Sequence, residues 1–153
     1  MASNPDLHLQ VLNFSLYDPS LSGEWKVPLD LKDRPKMDER KIIAHRAFLE
    51  ISKPASVVNL GVGMPEGVAA MAVHYASDNP VSSSVILTTE AGVMGGFPCG
   101  GIRFGTGQNP VAHITSDTML DFYHGGGIDI AFLGMAEVLH PLGTSTRVSW
   151  IGK

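Results

Sequence analysis

Three short, predominantly apolar runs constrain the fold more than anything else in the chain. They are SVVNL (Ser56 to Leu60), VILTT (Val85 to Thr89) and IDIAFLG (Ile128 to Gly134). Each has strand length rather than helix length, and each lacks the polar alternation of a strand with one wet face. Between them the pattern changes to a helical period. Asp38 can cap a helix whose apolar residues Ile43, Ala44, Ala47, Phe48 and Ile51 share one face, and Pro54 blocks its continuation. Pro65 suits the first position of a second helix, with Glu66 in its first turn and Val68, Met71, Ala72 and Tyr75 as its buried stripe. Ser116 can cap a third, running through Asp117, Leu120 and Tyr123 until Gly125-Gly126-Gly127 stops it. Helices alternating with strands buried on both faces predict an α/β fold. The expected sheet is open and mostly parallel, with helices on both faces.

The chain is 153 residues long, one domain's worth, and its hydrophobic fraction of 44% belongs to a globular protein. The pattern divides it into an extended arm or linker at residues 1–36, an α/β domain at 37–137 and a tail at 138–153. The arm carries Pro5, Pro19, Pro28 and Pro35 and short apolar patches, and it needs a surface to lie against. Net charge is -4 and no basic stripe occurs, so neither nucleic acid nor an anionic membrane is an expected partner. No apolar run is long enough to span a bilayer. A single cysteine, Cys99, excludes an internal disulfide, and no leader-like segment is visible, which makes the cytoplasm the expected compartment.

In open α/β sheets ligands bind beyond the carboxyl ends of the strands. Two strands end in glycine loops, at Gly61-Val62-Gly63 and at Glu90-Ala91-Gly92, and both are expected to open on one crevice. Seven of the sixteen residues from Gly92 to Gly107 are glycine, more than a solvated turn requires. Glu90 has two readings, a plain turn residue at a strand end or a nucleophile. A carboxylate is already ionised at neutral pH and needs no base, but it must be held against an activated carbonyl. Small neighbours (Ala91, Gly92, Gly95, Gly96) leave room for an acyl group, and backbone amides offer oxyanion donors. That combination suits acyl transfer between carboxylates better than hydrolysis.

The other motifs are weaker. GVGMPEG is one residue too long for a dinucleotide fingerprint, and a tight strand-to-helix turn explains it equally well. Cys99 has no partnered base. His8, His45, His74, His113, His124 and His140 show no ligand spacing, so no metal is expected. There is no G-x-S-x-G elbow.

Glu90-Ala91-Gly92 after a strand, then Gly95-Gly96, Pro98, Gly100-Gly101, Phe104-Gly105 and Asn109, resembles the family I coenzyme A transferases of the acetate/3-oxoacid and propionate type. The similarity includes Asp38 to Ile43, Asn59 to Ala69, and Asp121 to Tyr123 through Gly127 to Gly134. The arm's Tyr17-Asp18-Pro19 and Ser22-Gly23-Glu24 resemble the segment that joins the two halves of such enzymes.

The resemblance implies a ping-pong reaction through a glutamyl-CoA thioester on Glu90. Acyl-CoA and a short-chain carboxylate would be the substrates and coenzyme A the co-substrate, with no metal. It also implies that Asn59 and the loop from Gly61 to Gly63 border the reacting carbonyl. The part represented is the front of the carboxyl-terminal half, and after about Glu137 the sequence leaves the family pattern. A complementary half or a homo-oligomer is therefore the implied partner. The alternative is an inactive fragment that binds CoA weakly or serves as a subunit-interaction module. Which acids serve as donor and acceptor is not written in the sequence.

Overall fold

In the computed structural model, residues 12–13, 16–29, 37–76, 84–134, 138–139 and 145–146 are described. The first apolar patch of the arm, His8, His140 and most of the tail lie outside these residues. Strands β1 (Leu12–Asn13) and β2 (Leu16–Tyr17) form a small antiparallel pair, followed by a single helical turn, α1 (Pro19–Ser22). Asp18 caps that turn by accepting from the Ser20 N–H at 2.9 Å.

Helix α2 (Glu39–Phe48) begins where expected, with the Asp38 side chain accepting from the Lys41 N–H at 2.9 Å. It leads to β3 (Val57–Leu60), whose β-branched Val57 and Val58 favour the extended state. Helix α3 (Glu66–His74) follows, then β4 (Ile86–Thr88). The glycine-rich segment and the residues just after it supply β5 (Val93–Met94), β6 (Phe97–Pro98), β7 (Gly107–Gln108) and β8 (Ala112–His113). Helix α4 (Ser116–Phe122) runs directly into a π-helical turn at Tyr123–Gly127, and β9 (Ile130–Phe132) comes after it. A last antiparallel pair joins β10 (Val138–Leu139) to β11 (Ser145–Thr146).

The main sheet has five strands in the order β8-β5-β4-β3-β9. Strand β3 pairs in parallel with β4 and with β9, the open parallel centre that the three apolar runs predict. Two antiparallel additions, β5 on β4 and β8 on β5, make the sheet mixed. Both come from the stretch between β4 and α4, where two-residue strands leave no period to read.

Successive strand residues face opposite sides of the sheet, which assigns the two layers. Val58, Leu60 and Leu87 are buried on one side with Ala44 and Phe48 of α2 and Val68, Ala69, Met71 and Ala72 of α3. Burying each large apolar side chain contributes about 1.5–3 kcal/mol, so this layer dominates stability. Asn59 and its register partner Thr88 face the other side, where Tyr123 from the end of α4 covers them. Helices thus lie on both faces.

Three details differ from the sequence reading. Ile43, expected on the buried face of α2, is 50% exposed, because Ala44 and Phe48 form the column that meets α3. The side chain that α4 buries is Met119, whereas Leu120 is 43% exposed. Thr115, not Ser116, precedes the first turn of α4 as its cap residue, and the Ser116 hydroxyl is used elsewhere.

The arm has its surface. Leu21 is completely buried, and Asn109 clamps the arm from a left-handed backbone position. Its side chain accepts from the Val27 N–H at 2.9 Å and donates to the Val27 carbonyl at 2.8 Å. Lys26 Nζ donates to the carbonyls of Asn109 and Pro110, both at 2.9 Å.

Candidate active site

Glu90 stands at the turn immediately after β4, and Gly61 begins the loop after the adjacent parallel strand β3. Both sit at the carboxyl end of the sheet, where α/β folds place ligands. The backbone at Glu90 is tied to α4, since Ser116 Oγ donates to the Glu90 carbonyl at 2.8 Å. Thr89 beside it is fully buried and donates its N–H to the Val93 carbonyl at 3.1 Å. Among the described residues, Glu90 Oε2 is buried without a hydrogen-bond donor. A carboxylate oxygen in that condition costs stability, which is common for groups kept for chemistry.

Asn59 is 5% exposed in the middle of β3. Tyr123 reaches it from α4: the phenol oxygen lies 3.2 Å from Asn59 Oδ1 and 2.7 Å from Thr88 Oγ1. The phenol pKa is raised, first by burial and further by the nearby negative charge of Glu90, while the Thr88 hydrogen bond opposes the shift. Tyr123 therefore connects Asn59, Thr88 and the field of Glu90 in one cluster.

The glycines are occupied by the fold itself. A Cβ on Gly92 would lie 1.9 Å from the Ile114 carbonyl oxygen, and φ there is +108°. A Cβ on Gly96 would lie 2.3 Å from the Gln108 carbonyl oxygen, with φ at +70°. What approaches these backbones so closely is the protein's own backbone at Ile114, Gln108 and Asn109. Most of the amides expected as oxyanion donors are likewise committed within the fold. Gly61 N–H donates to the Phe132 carbonyl at 2.9 Å, Gly92 to Thr89 at 3.0 Å and Gly95 to Leu87 at 2.8 Å. Gly63 N–H donates to Glu66 Oε1 at 2.9 Å. Among the described residues, no hydrogen bond joins Glu90 to the loop from Gly61 to Gly63.

Glu66 has a part that its place in a first helical turn does not announce. Besides accepting from Gly63 it accepts from the Gly101 N–H at 3.2 Å, joining two glycine loops. Next to it a cleft of about 220 Å³ opens between α2 and α3, with Arg40 and Lys41 on its wall. The sequence reading passed over Glu66 and Tyr123 as site residues. One signal was present for Tyr123: an asparagine inside a buried strand requires a polar partner.

Cys99 is buried, and His113 is spent on the arm, its Nε2 lying 2.7 Å from the Leu21 carbonyl. Among the described residues no three His, Cys, Asp or Glu side chains gather where a metal could bind. Among them also, no helix is long and apolar enough to cross a membrane.

The fold is an open α/β sheet with a partly buried carboxylate at the carboxyl ends of its strands, the edge where ligands bind in this class of fold. Comparison with known proteins narrows the class. No family model matches the chain. A caffeate CoA-transferase of Acetobacterium woodii is 40% identical over 121 residues, 79% of this chain and 22% of the relative. The acetate CoA-transferase YdiF of Escherichia coli K12 is 36% identical over 118 residues, 77% of this chain and 21% of the relative.

Crystal structures of YdiF from Escherichia coli O157:H7 agree. Its thioester complex with CoA superposes with a TM-score of 0.64 at 26% identity, over 92% of this chain and 24% of that one. The apoenzyme gives 0.66 at 30% identity, over 97% and 25%. Over more than three quarters of its length the chain is similar to coenzyme A transferases, and it spans about a fifth of the length of the curated relatives it matches.

Proposed function

We propose that this chain carries the nucleophile of an acyl-CoA:carboxylate CoA-transferase acting on short-chain acids, and that the nucleophile is Glu90. The observation that carries the reading is the Glu90 carboxylate at the end of β4, with one oxygen buried and given no donor among the described residues. In the first step a carboxylate oxygen attacks the thioester carbonyl carbon. The C–S bond breaks, CoA leaves as its thiolate, and an acyl-glutamyl anhydride remains. The thiolate then attacks the glutamyl carbonyl and expels the original acid as a carboxylate. Glu90 is left as a CoA thioester. A second carboxylate reverses both steps and departs as the new acyl-CoA.

An anhydride lies uphill, and binding energy from the remote parts of CoA can offset it. Asn59 borders the reacting carbonyl in this reading, as a side-chain donor. The glycines Gly61, Gly63, Gly92, Gly95 and Gly96 shape the crevice, their donors being largely committed to the fold.

A second reading is an inactive module that binds CoA weakly or docks on another subunit, either a complementary CoA-transferase half or a second copy. The observation in its favour is the open edge strand β9, beside which Leu133 is 59% exposed. Isotope exchange separates the two. Ping-pong transfer predicts that labelled acetate enters acetyl-CoA with no second acid present. A folded chain that exchanges no label overturns the enzymatic reading.

A further inference from the structure

We propose that Tyr123 is a positioning residue of the Glu90 site: its hydroxyl, lodged against Thr88, fixes the Asn59 side-chain amide so that its NH2 group is presented to the acyl carbonyl. The proposal rests on the reading of Glu90 as nucleophile and names what prepares the neighbouring donor.

The geometry begins in the sheet. Asn59 and Thr88 are register partners of parallel strands, so their side chains stand side by side on the face away from the α2–α3 core. Thr88 is fully buried and Asn59 nearly so. A buried amide is free to rotate by half a turn unless its two ends meet different partners. Tyr123 makes the ends different. Its oxygen approaches Asn59 Oδ1 at 3.2 Å, and among the described residues no acceptor meets the Asn59 NH2 group. The oxygen end is anchored and the donor end is left for a ligand.

Proton accounting supports the same arrangement. A phenol has one proton to donate. The Thr88 hydroxyl donates its own proton to the Val58 carbonyl at 3.0 Å, so Thr88 Oγ1 meets Tyr123 as an acceptor at 2.7 Å. The phenol proton is therefore shared between Thr88 Oγ1 and Asn59 Oδ1, two acceptors held in place by adjacent strands. Burial and the Glu90 charge keep that proton on the phenol. Without it, two oxygens would face each other, and the amide would turn its NH2 inward to Tyr123.

The backbone is arranged to deliver this side chain. Tyr123 opens the π-helical turn that ends at Gly127, and Gly126 within it takes a left-handed conformation at φ +89°. A left-handed glycine is the common way for a helix to stop, and here it ends α4 with Tyr123 directed at the sheet. Ser116, at the other end of α4, holds the Glu90 carbonyl. One short helix thus fixes the backbone of Glu90 with its first residue and the amide of Asn59 through the residue after its last.

The test compares wild type with Tyr123→Phe, which keeps the ring and removes only the hydroxyl. The Asn59 side-chain amide resonances should shift or broaden in the variant. The rate at which acyl-CoA modifies Glu90 should fall about tenfold, the worth of one hydrogen bond, with half-saturation in acyl-CoA unchanged. Should the variant not fold, the wild type decides alone: in an alkaline titration the Asn59 amide resonances must move together with the Tyr123 ring carbon that bears oxygen. Asn59 resonances indifferent to both the substitution and the phenol titration overturn the proposal. Failure of wild type to form any adduct overturns the Glu90 reading instead, and leaves the resonance result to judge Tyr123.

Discussion

Glu66 and Gly101, 35 positions apart in sequence, are joined by a hydrogen bond from the Gly101 N–H to Glu66 Oε2 at 3.2 Å. Because the same carboxylate also accepts from Gly63, it ties the loop after β3 to the loop after β6. A Cβ on Gly100 would stand 2.3 Å from that carboxylate, so the loop is packed onto it.

Glu66→Gln should therefore cost stability. Hydrogen bonds to a charged group are each worth about 1.5–3 kcal/mol, and the amide retains only a neutral acceptor. We expect a loss of about 1–2 kcal/mol in urea unfolding, the difference between a charge-assisted and a neutral hydrogen bond. The backbone resonances of Gly63 and Gly101 should move together. Independent shifts would show that the two loops are not coupled through this side chain.

Gly67→Ala sets two effects against each other. Replacing glycine inside a helix favours the helix by about 1 kcal/mol. Here the added methyl would sit 2.8 Å from the Ala44 Cβ at the crossing of α2 and α3, and overpacking typically costs about 1–3 kcal/mol. Net destabilisation is the expected result in chemical denaturation. Adding Ala44→Gly should recover part of it. A Gly67→Ala chain more stable than wild type would mean that the helices separate easily.

Substitution of Gly92 by alanine meets the Ile114 carbonyl directly and demands a left-handed backbone from a residue with a side chain. Strain and overpacking together should cost roughly 3 kcal/mol or more. The expected outcome is loss of the cooperative unfolding transition, read by near-ultraviolet circular dichroism.

Tyr123 also predicts a pH dependence. Its folded pKa lies above the ordinary tyrosine value, so its contribution to stability is complete below about 10, the unfolded value, and is lost as pH rises through the folded value. Tyr123→Phe should flatten the alkaline limb of the stability curve. Glu90→Gln should shift that limb to lower pH, since it removes the charge that helps burial raise the phenol. An unchanged limb in both variants would place the phenol outside the field of Glu90.

Strand β9 closes the sheet order on one side, and Ile43 and Leu133 stand exposed next to it around an apolar cleft of about 330 Å³. Exposed edges and apolar patches favour association. The chain should self-associate in sedimentation experiments, and Ile43→Lys should weaken that association. A concentration-independent monomer would count against this.

The parallel centre of the fold was legible because β3 and β4 are largely buried and lack polar alternation, whereas the edge strand β9 is only partly covered and was legible from its apolar run. The antiparallel strands β5 and β8 were not, for each is only two residues long and their register depends on contacts with distant backbone. Glu90 could be singled out because a carboxylate ending an apolar strand is conspicuous. The glycines beside it were legible as tight places, but not as places filled by Ile114 and Gln108. Tyr123 was hidden for a different reason: its ring fits a helical apolar stripe, and only the sheet register reveals that its hydroxyl lands between Asn59 and Thr88.

The central claim is that Glu90 is the covalent nucleophile. Incubation of the chain with an acyl-CoA, borohydride or hydroxylamine trapping and peptide mapping by mass spectrometry test it most directly. The account predicts modification on the peptide bearing Glu90, absent after Glu90→Gln. A folded chain that remains unmodified, or one whose label resides on Cys99 and survives Glu90→Gln, would contradict it.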